Sequence, residues 1–153
     1  MISKTEEEPG YVLFVTVGTT SFDALVSCVA LPSFLRAIRS LGFRRLTVQY
    51  GRGAEPTPPL PGQDAPDTPA CDAYRFRPSL RHDMAAADVV LTHGGAGSLM
   101  EILGAAGSGG GRPPVCVAVP NPALMGGHQA ELCGALAERG YCLDVSIGAG
   151  ADR

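Results

Sequence analysis

The chain is 153 residues long, has a formal net charge of −3 at pH 7 and contains 45% hydrophobic residues. This length allows one domain with a full hydrophobic core. The small negative charge and the absence of a basic cluster argue against nucleic acid as the main partner. The five cysteines form no C-x-x-C pair, and their odd number argues against a disulfide framework, so we expect reduced thiols.

The sequence also argues against secretion and against a membrane span. The glutamates at positions 6–8 have the wrong charge for a secretory signal. No apolar run approaches the roughly 20 residues that cross a bilayer. We therefore expect a soluble protein in a reducing compartment, most simply the cytosol.

Apolar runs alternate with helical patterns along the chain. The runs at 11–17, 44–50, 73–76, 89–91, 115–119 and 141–145 predict strands. Apolar residues at helical spacing predict helices at 22–41, 78–87, 99–103 and 125–139. Pro32 is expected to break or restart the first helix, and Thr20 or Ser21 to cap it.

Four segments are predicted to lack regular structure. The first ten residues are expected to be a disordered N-terminus, and residues 146–153 a loose tail. Prolines crowd residues 51–71, which predicts a flexible surface loop rather than a domain boundary. The glycine-rich run at 107–111 predicts a flexible linker between a helix and a strand.

Nearly all-apolar strands that alternate with helices predict an α/β fold, a Rossmann-like parallel sheet flanked by helices. Ligands of such folds bind beyond the carboxyl ends of the strands. The segments 18–20, 93–98 and 121–129 all follow predicted strands. We therefore expect these three segments to gather at one binding site.

The stretch 88–103 is the centre of this prediction. It combines a short buried strand, a turn with three glycines that begins at His93, and a helix. Such a turn lets the backbone approach a ligand closely and directs N–H groups and the positive end of the helix at one point. That arrangement favours an anion, most often phosphate. The alternative is an ordinary strand-to-helix connection without a ligand, in which Ser98 only caps the helix.

The sequence fits other ligand classes poorly. It lacks the G-x-G-x-x-G turn after the first strand, a phosphate-binding loop with lysine, and a G-x-S-x-G elbow. His82, His93 and His128 are far apart and have no cysteine or carboxylate pattern nearby, so no metal site is predicted. What remains is a phosphate site made of backbone N–H groups, hydroxyls and a histidine, with Glu101 placed to accept hydrogen bonds from a ribose diol.

At this point the motifs resemble a known family. His93 to Ser98 with Glu101, then Pro120 and His128-Gln129, look like the donor-binding half of nucleotide-sugar glycosyltransferases with the B-type fold. The opening at 14–23 is similar to the soluble catalytic subunits of the two-chain UDP-N-acetylglucosamine transferase of the endoplasmic reticulum, which carry a glycosyltransferase family 28 C-terminal domain. The similarity runs from about residue 12 to residue 141, nearly the whole chain.

The resemblance implies a single nucleotide-sugar-binding domain and assigns roles to its residues. It implies that the UDP diphosphate is held by His93, Gly94, Gly95, Ala96, Gly97 and Ser98, in a pocket closed by Gly18, Thr19 and Thr20. Glu101 would bind the ribose hydroxyls, and the backbone around Phe76 and Arg77 would recognise the uracil edge. His128 and Gln129 match the positions that meet the hydroxyls of the donor sugar. Catalytic residues stay unassigned, because the sequence shows no candidate general base.

The resemblance also implies a reaction and a partner. The reaction would move N-acetylglucosamine from UDP-N-acetylglucosamine to N-acetylglucosaminyl-diphosphodolichol, which adds the second sugar of the N-glycan precursor without a metal or other cofactor. A membrane-anchored subunit would supply the acceptor side and hold the chain at the cytosolic face of the endoplasmic reticulum. Two alternatives stay open: a non-catalytic UDP-sugar-binding or interaction module, as in a paralogue or truncated form, and a structural subunit without ligand binding.

Overall fold

The computed structural model describes residues 9–62, 65–105, 114–120, 137–138 and 143–144. Six strands form one sheet in the order β3-β2-β1-β4-β5-β6, and every neighbouring pair is parallel. The strands are β1 (Tyr11–Thr16), β2 (Phe43–Gln49), β3 (Ala70–Tyr74), β4 (Val89–Thr92), β5 (Val115–Ala118) and β6 (Leu143–Asp144). The predicted α/β class and the parallel sheet are confirmed.

Four helices cover the two faces of the sheet in the described part of the chain. They are α1 (Asp23–Ala30), α2 (Pro32–Ser40), α3 (Arg81–Ala86) and α4 (Ala96–Ala105). Pro32 is the first residue of α2, where its missing N–H has no intrahelical acceptor to lose, so the predicted break and restart at this proline is confirmed. None of the described helices is long and apolar enough to cross a membrane.

Alternation along β1 produces two separate cores. Leu13, Val15 and Val17 face α1 and α2 and belong to one buried cluster with Leu25 and Leu35. The opposite face carries a second cluster of β1, β4, β5, α3 and α4 residues, with Phe14, Met84, Val90, Leu99, Ile102 and Cys116 as buried members. Because side chains alternate along a strand, one strand supplies both layers of a sheet that is covered on both sides.

The third strand lies earlier in the chain than predicted. It runs from Ala70 to Tyr74 rather than over 73–76, because these residues pair with Arg45–Gln49 of β2. The predicted loop over 51–71 is therefore wrong at its last two residues, and Phe76 lies beyond the strand with 51% of its surface exposed. Pairing with a central strand has overridden the weak local signal of this segment.

Three helix starts also differ from the prediction. The cap of α1 is Phe22, without a side-chain hydrogen bond, whereas the Thr20 hydroxyl donates to the Val17 carbonyl oxygen at 2.9 Å. Helix α4 begins at Ala96 rather than Leu99, so Ser98 lies inside its first turn and does not cap it. Helix α3 begins at Arg81 rather than at residue 78, since the Ser79 hydroxyl accepts the Arg81 N–H in a turn of its own.

Several predictions fall wholly or partly outside the described residues. These are the N-terminus up to residue 8, the glycine run at 107–111, most of the helix at 125–139 and the tail at 146–153. The last strand, predicted over 141–145, is present at Leu143–Asp144. The three cysteines within the described ranges, Cys28, Cys71 and Cys116, form no disulfide there.

Candidate functional site

A cleft of about 570 Å³ opens at the carboxyl edge of the sheet. The loops after β1, β3 and β4 and the first turns of α3 and α4 surround it, as expected for a parallel sheet. We call one side the glycine wall, formed by Gly18, His93, Gly95, Gly97 and Ser98. We call the other side the arginine wall, formed by Phe76, Arg77, Pro78, Ser79, Leu80 and Arg81. Thr19, Thr20, Gln49 and Glu101 complete the lining.

His93 directly follows β4 and is almost fully buried, with 4% of its surface exposed. Its backbone N–H donates to the Thr16 carbonyl oxygen at 3.3 Å, which extends the sheet ladder by one step. Burial lowers the pKa of the His93 imidazole below its ordinary value, and a hydrogen bond of the ring with the Thr16 backbone opposes this shift. The imidazole at the floor of the cleft is therefore neutral at pH 7, so one ring nitrogen donates a hydrogen bond and the other accepts one.

The glycines beside His93 are required by space and by backbone conformation. A Cβ atom on Gly95 would lie 2.2 Å from His93 Nε2, and one on Gly18 would lie 3.1 Å from Cε1 of the same ring. Gly18 and Gly94 have positive φ angles of 63° and 80°, which L side chains rarely adopt. The loops after β1 and β4 therefore meet against the imidazole because neither carries a side chain at the point of contact.

The first turn of α4 opens onto the same space. Leu99 N–H makes the first i-to-i−4 bond of this helix, to the Gly95 carbonyl oxygen at 2.9 Å. The N–H groups that precede it have no acceptor within the helix and lie at its positive end. Gly97 leaves this turn open, since a Cβ there would meet no atom within 4 Å. Glu101, one turn further, is exposed and lines the cleft.

In the arginine wall, contacts between side chains fix the position of Arg77. The Arg77 guanidinium lies 3.8 Å from the centre of the Tyr74 ring and 3.3 Å from carboxylate oxygens of both Asp72 and Asp83. The Tyr74 hydroxyl donates to Asp83. Burial raises the pKa of Tyr74, and the Asp83 carboxylate raises it further, so this hydroxyl stays protonated. Arg77 is thus fixed by an aromatic face and two acids, and Phe76 beside it is exposed to the cleft.

The structure brings together ten of the residues that were predicted for the site. These are Gly18, Thr19, Thr20, Phe76, Arg77, His93, Gly95, Gly97, Ser98 and Glu101. Gly94 lies in the turn before α4 but does not line the cleft, and Ala96 is the first residue of α4. His128 and Gln129 lie outside the described residues. Within the described ranges, no group of three or more histidine, cysteine, aspartate or glutamate side chains could hold a metal ion.

Sequence reasoning missed Gln49 and Arg81. Gln49 ends β2 and is 1% exposed, and its side-chain amide makes four hydrogen bonds. The available signal was a long polar side chain that directly follows Leu46, Thr47 and Val48 in a predicted strand, since a buried residue of this type needs polar partners. Arg81 lines the arginine wall from the first turn of α3. Its signal was a cation two residues after the Pro78-Ser79 pair.

Comparison with known proteins identifies the family. The model of the glycosyltransferase family 28 C-terminal domain matches residues 12–146. The chain belongs to this family. The parallel sheet flanked by helices is also the fold of solved glycosyltransferases, so the predicted Rossmann-like fold is confirmed.

Two relatives and one solved structure are similar to this chain over most of its length. It is 43% identical over 129 residues to the human UDP-N-acetylglucosamine transferase subunit ALG13, which covers 84% of this chain and 10% of the human protein. It is 32% identical over 162 residues to the protein of the same name from Cryptococcus neoformans, covering 90% of this chain and 78% of that protein. An NMR solution structure of ALG13 superposes with a TM-score of 0.62 at 24% identity, covering 91% of this chain and 80% of that one. The chain thus spans about a tenth of the length of its human relative.

Proposed function

We propose that the chain is the donor-binding subunit of a glycosyltransferase that uses UDP-N-acetylglucosamine. Its acceptor would be N-acetylglucosaminyl-diphosphodolichol, reached through a membrane-anchored partner at the cytosolic face of the endoplasmic reticulum. The relatives named as subunits of a UDP-N-acetylglucosamine transferase support this proposal. The observation that carries it is the glycine wall, where a buried neutral imidazole and the open first turn of α4 line the same cleft.

In this proposal the glycine wall binds the diphosphate. Backbone N–H groups near Gly97 and Ser98 would donate to phosphate oxygens, and the helix end would offset their charge. His93 would donate from its ring without adding a full charge. Gly18, Thr19 and Thr20 would close the pocket from β1. Gly94 would act through the shape of the turn, because it does not line the cleft, and Ala96 through its place at the start of α4.

The contacts proposed for the ribose and the uracil also follow from the positions of residues around the cleft. Glu101 lies one helical turn from the open end of α4, which suits acceptance of hydrogen bonds from the ribose diol. Phe76 and Arg77 stand opposite the glycine wall and would meet the uracil edge. The sugar contacts proposed for His128 and Gln129 rest on sequence alone.

The chemistry asked of these residues is departure of UDP from the sugar. Fixed N–H donors and a helix N-terminus stabilise the negative charge that develops on the leaving phosphate, without reorganisation at the moment of reaction. We propose that these donors take the place of a metal ion at the leaving diphosphate. The acceptor hydroxyl and its general base would come from the assembly with the partner subunit.

The direct test is transfer of N-acetylglucosamine to a diphosphodolichol acceptor, measured with and without the membrane-anchored partner, together with UDP binding by calorimetry. We expect UDP binding in both cases and transfer only with the partner. His93→Ala and Glu101→Ala should weaken UDP binding. Binding without transfer in either case would favour a non-catalytic module, and no binding at millimolar UDP would favour a structural subunit.

A further inference from the structure

Gln49 is the last residue of β2 and lies beneath the cleft. In the sheet it is paired with Thr16 of β1 and Tyr74 of β3. Gln49 and Thr16 are both almost fully buried. Strand interiors are normally filled by apolar or β-branched residues, so a buried glutamine at this position needs an explanation. The explanation lies in what its amide group contacts.

Each polar atom of the Gln49 amide has two partners. Its oxygen accepts the Gly18 N–H at 3.0 Å and the Thr16 hydroxyl at 2.5 Å. Its nitrogen donates to the Gly18 carbonyl oxygen at 2.7 Å and to the Arg75 carbonyl oxygen at 2.8 Å. Two carbonyl oxygens on one side and the Gly18 N–H on the other fix the orientation of the amide, because the flipped group would place its oxygen against both carbonyls and its nitrogen against the N–H.

Three of these four bonds go to backbone groups of the loops that build the cleft. Both backbone polar groups of Gly18 are held, in the left-handed conformation that brings this residue against His93 and Ser98. The Arg75 carbonyl is held directly before Phe76 and Arg77 of the arginine wall. The Arg75 side chain fixes the same point from outside, since it donates to the carbonyl oxygens of Gly51 and Gly53 at 2.9 Å each.

We infer that Gln49 is a positioning residue that sets the separation of the two walls of the cleft, and through it the affinity for UDP. This inference rests on the proposed function. A single planar amide binds Gly18 of the glycine wall and the Arg75 carbonyl that directly precedes the arginine wall, so a shift of either loop breaks hydrogen bonds that water cannot replace at a buried site. A residue that only completed the core would leave the affinity of the folded protein unchanged.

The test compares three variants of the full chain by UDP calorimetry at a temperature where each is folded. Gln49→Met removes all four bonds at similar volume, and we expect the UDP Kd to rise at least about tenfold, equivalent to about 1.4 kcal/mol. Gln49→Glu keeps the acceptor and, when protonated, one donor. The ratio of the UDP Kd of Gln49→Glu to that of the wild type should therefore be smaller at pH 6 than at pH 8. Thr47→Val, a buried change on the same strand outside the cleft, should stay within about twofold of the wild type.

Amide hydrogen exchange of the unliganded chain gives a second readout that needs no ligand. We expect the Gly18 amide to exchange faster in Gln49→Met and at the wild-type rate in Thr47→Val. Unchanged affinity in folded Gln49→Met, or equal losses in Gln49→Met and Thr47→Val, would overturn the inference while the proposed function stands. If the wild type binds no UDP, the proposed function fails, and unchanged exchange at Gly18 would overturn the positioning role as well.

Discussion

The two walls of the cleft are built by different means. The glycine wall consists of backbone and one neutral imidazole, and its shape depends on the absence of side chains at Gly18 and Gly95. The arginine wall depends on side chains, with Arg77 held between Tyr74 and two carboxylates. Backbone geometry is insensitive to salt but does not tolerate a side chain at Gly18 or Gly95, whereas exposed ion pairs are weakened by salt and tolerate substitution.

This difference fits two kinds of recognition. A diphosphate is recognised by N–H groups that point at one place, and only a rigid turn can present them. A nucleobase edge or a flat ring is met by side chains such as Phe76 that can adjust. The predictions below test whether the two walls respond as differently as their construction implies.

The largest effect is expected from Gly95→Ala. The new Cβ would lie 2.2 Å from His93 Nε2, so the imidazole or the turn must move. Overpacking of this kind costs about 1–3 kcal/mol of unfolding free energy. Because the displaced groups would face the diphosphate in the proposed function, the UDP Kd should rise by about tenfold or more at any salt concentration.

Gly62→Ala is the control for this change, because a Cβ at Gly62 meets no atom within 4 Å and the residue lies outside the cleft. Thermal unfolding and UDP calorimetry should show it close to the wild type. A Gly95→Ala variant that binds UDP normally would mean that the imidazole does not face the ligand.

The second prediction concerns pH. Burial lowers the pKa of His93 in the folded chain, so between this value and the unfolded value near 6.5 the unfolded chain binds more protons. The folded chain, with His93 neutral, keeps its full stability above the unfolded pKa and loses stability as the pH falls towards the folded pKa. The Tm of the wild type should therefore fall between pH 7 and pH 5 more steeply than that of His93→Gln.

His82→Gln removes an exposed histidine of α3 that does not line the cleft, and is the matched control. Equal pH dependence of the Tm in the wild type and His93→Gln would show that the imidazole is not held neutral. The buried ring is part of the glycine wall, so this measurement reports on that wall alone.

The sequence predicts a wall well when the residues that form it are consecutive in the chain, and poorly when strand pairing brings them together. The glycine wall was predicted because a buried strand, a glycine turn and a helix are consecutive in the chain. The arginine wall was located less well, because its placement depends on the pairing of Ala70–Tyr74 with β2. Gln49 was missed for a related reason: its partners Gly18 and Arg75 are 31 and 26 residues away, and no local pattern indicates them.

The third prediction breaks the side-chain support of the arginine wall. Arg77→Met removes the contacts with Asp72 and Asp83 and the charge above Tyr74. The guanidinium is substantially exposed, so we expect a loss of only about 0.5–1 kcal/mol in unfolding free energy. The UDP Kd should rise about threefold to fivefold at low salt, corresponding to up to about 1 kcal/mol.

Salt separates this effect from that of Gly95→Ala. In about 0.5 M NaCl the difference between Arg77→Met and the wild type should shrink, because screening weakens the ion pairs of the wild type too. The Gly95→Ala difference should persist, since it arises from van der Waals overlap. Equal salt dependence of the two variants would contradict the contrast between the walls.

The smallest effect is expected from Gly97→Ala, with Gly104→Ala as its matched control. Both glycines lie in α4 with open space where a Cβ would stand, so alanine should raise the unfolding free energy of each by up to about 1 kcal/mol through helix propensity. Only Gly97 lines the cleft, and there the added methyl group occupies space next to the N–H groups of the first turn. Gly97→Ala should therefore stabilise the chain while raising the UDP Kd about twofold to fivefold, whereas Gly104→Ala should stabilise it at unchanged affinity. If both variants gain stability and both bind UDP as the wild type does, the ligand does not approach the backbone of this turn, and Gly97 is present for a reason other than access to the diphosphate.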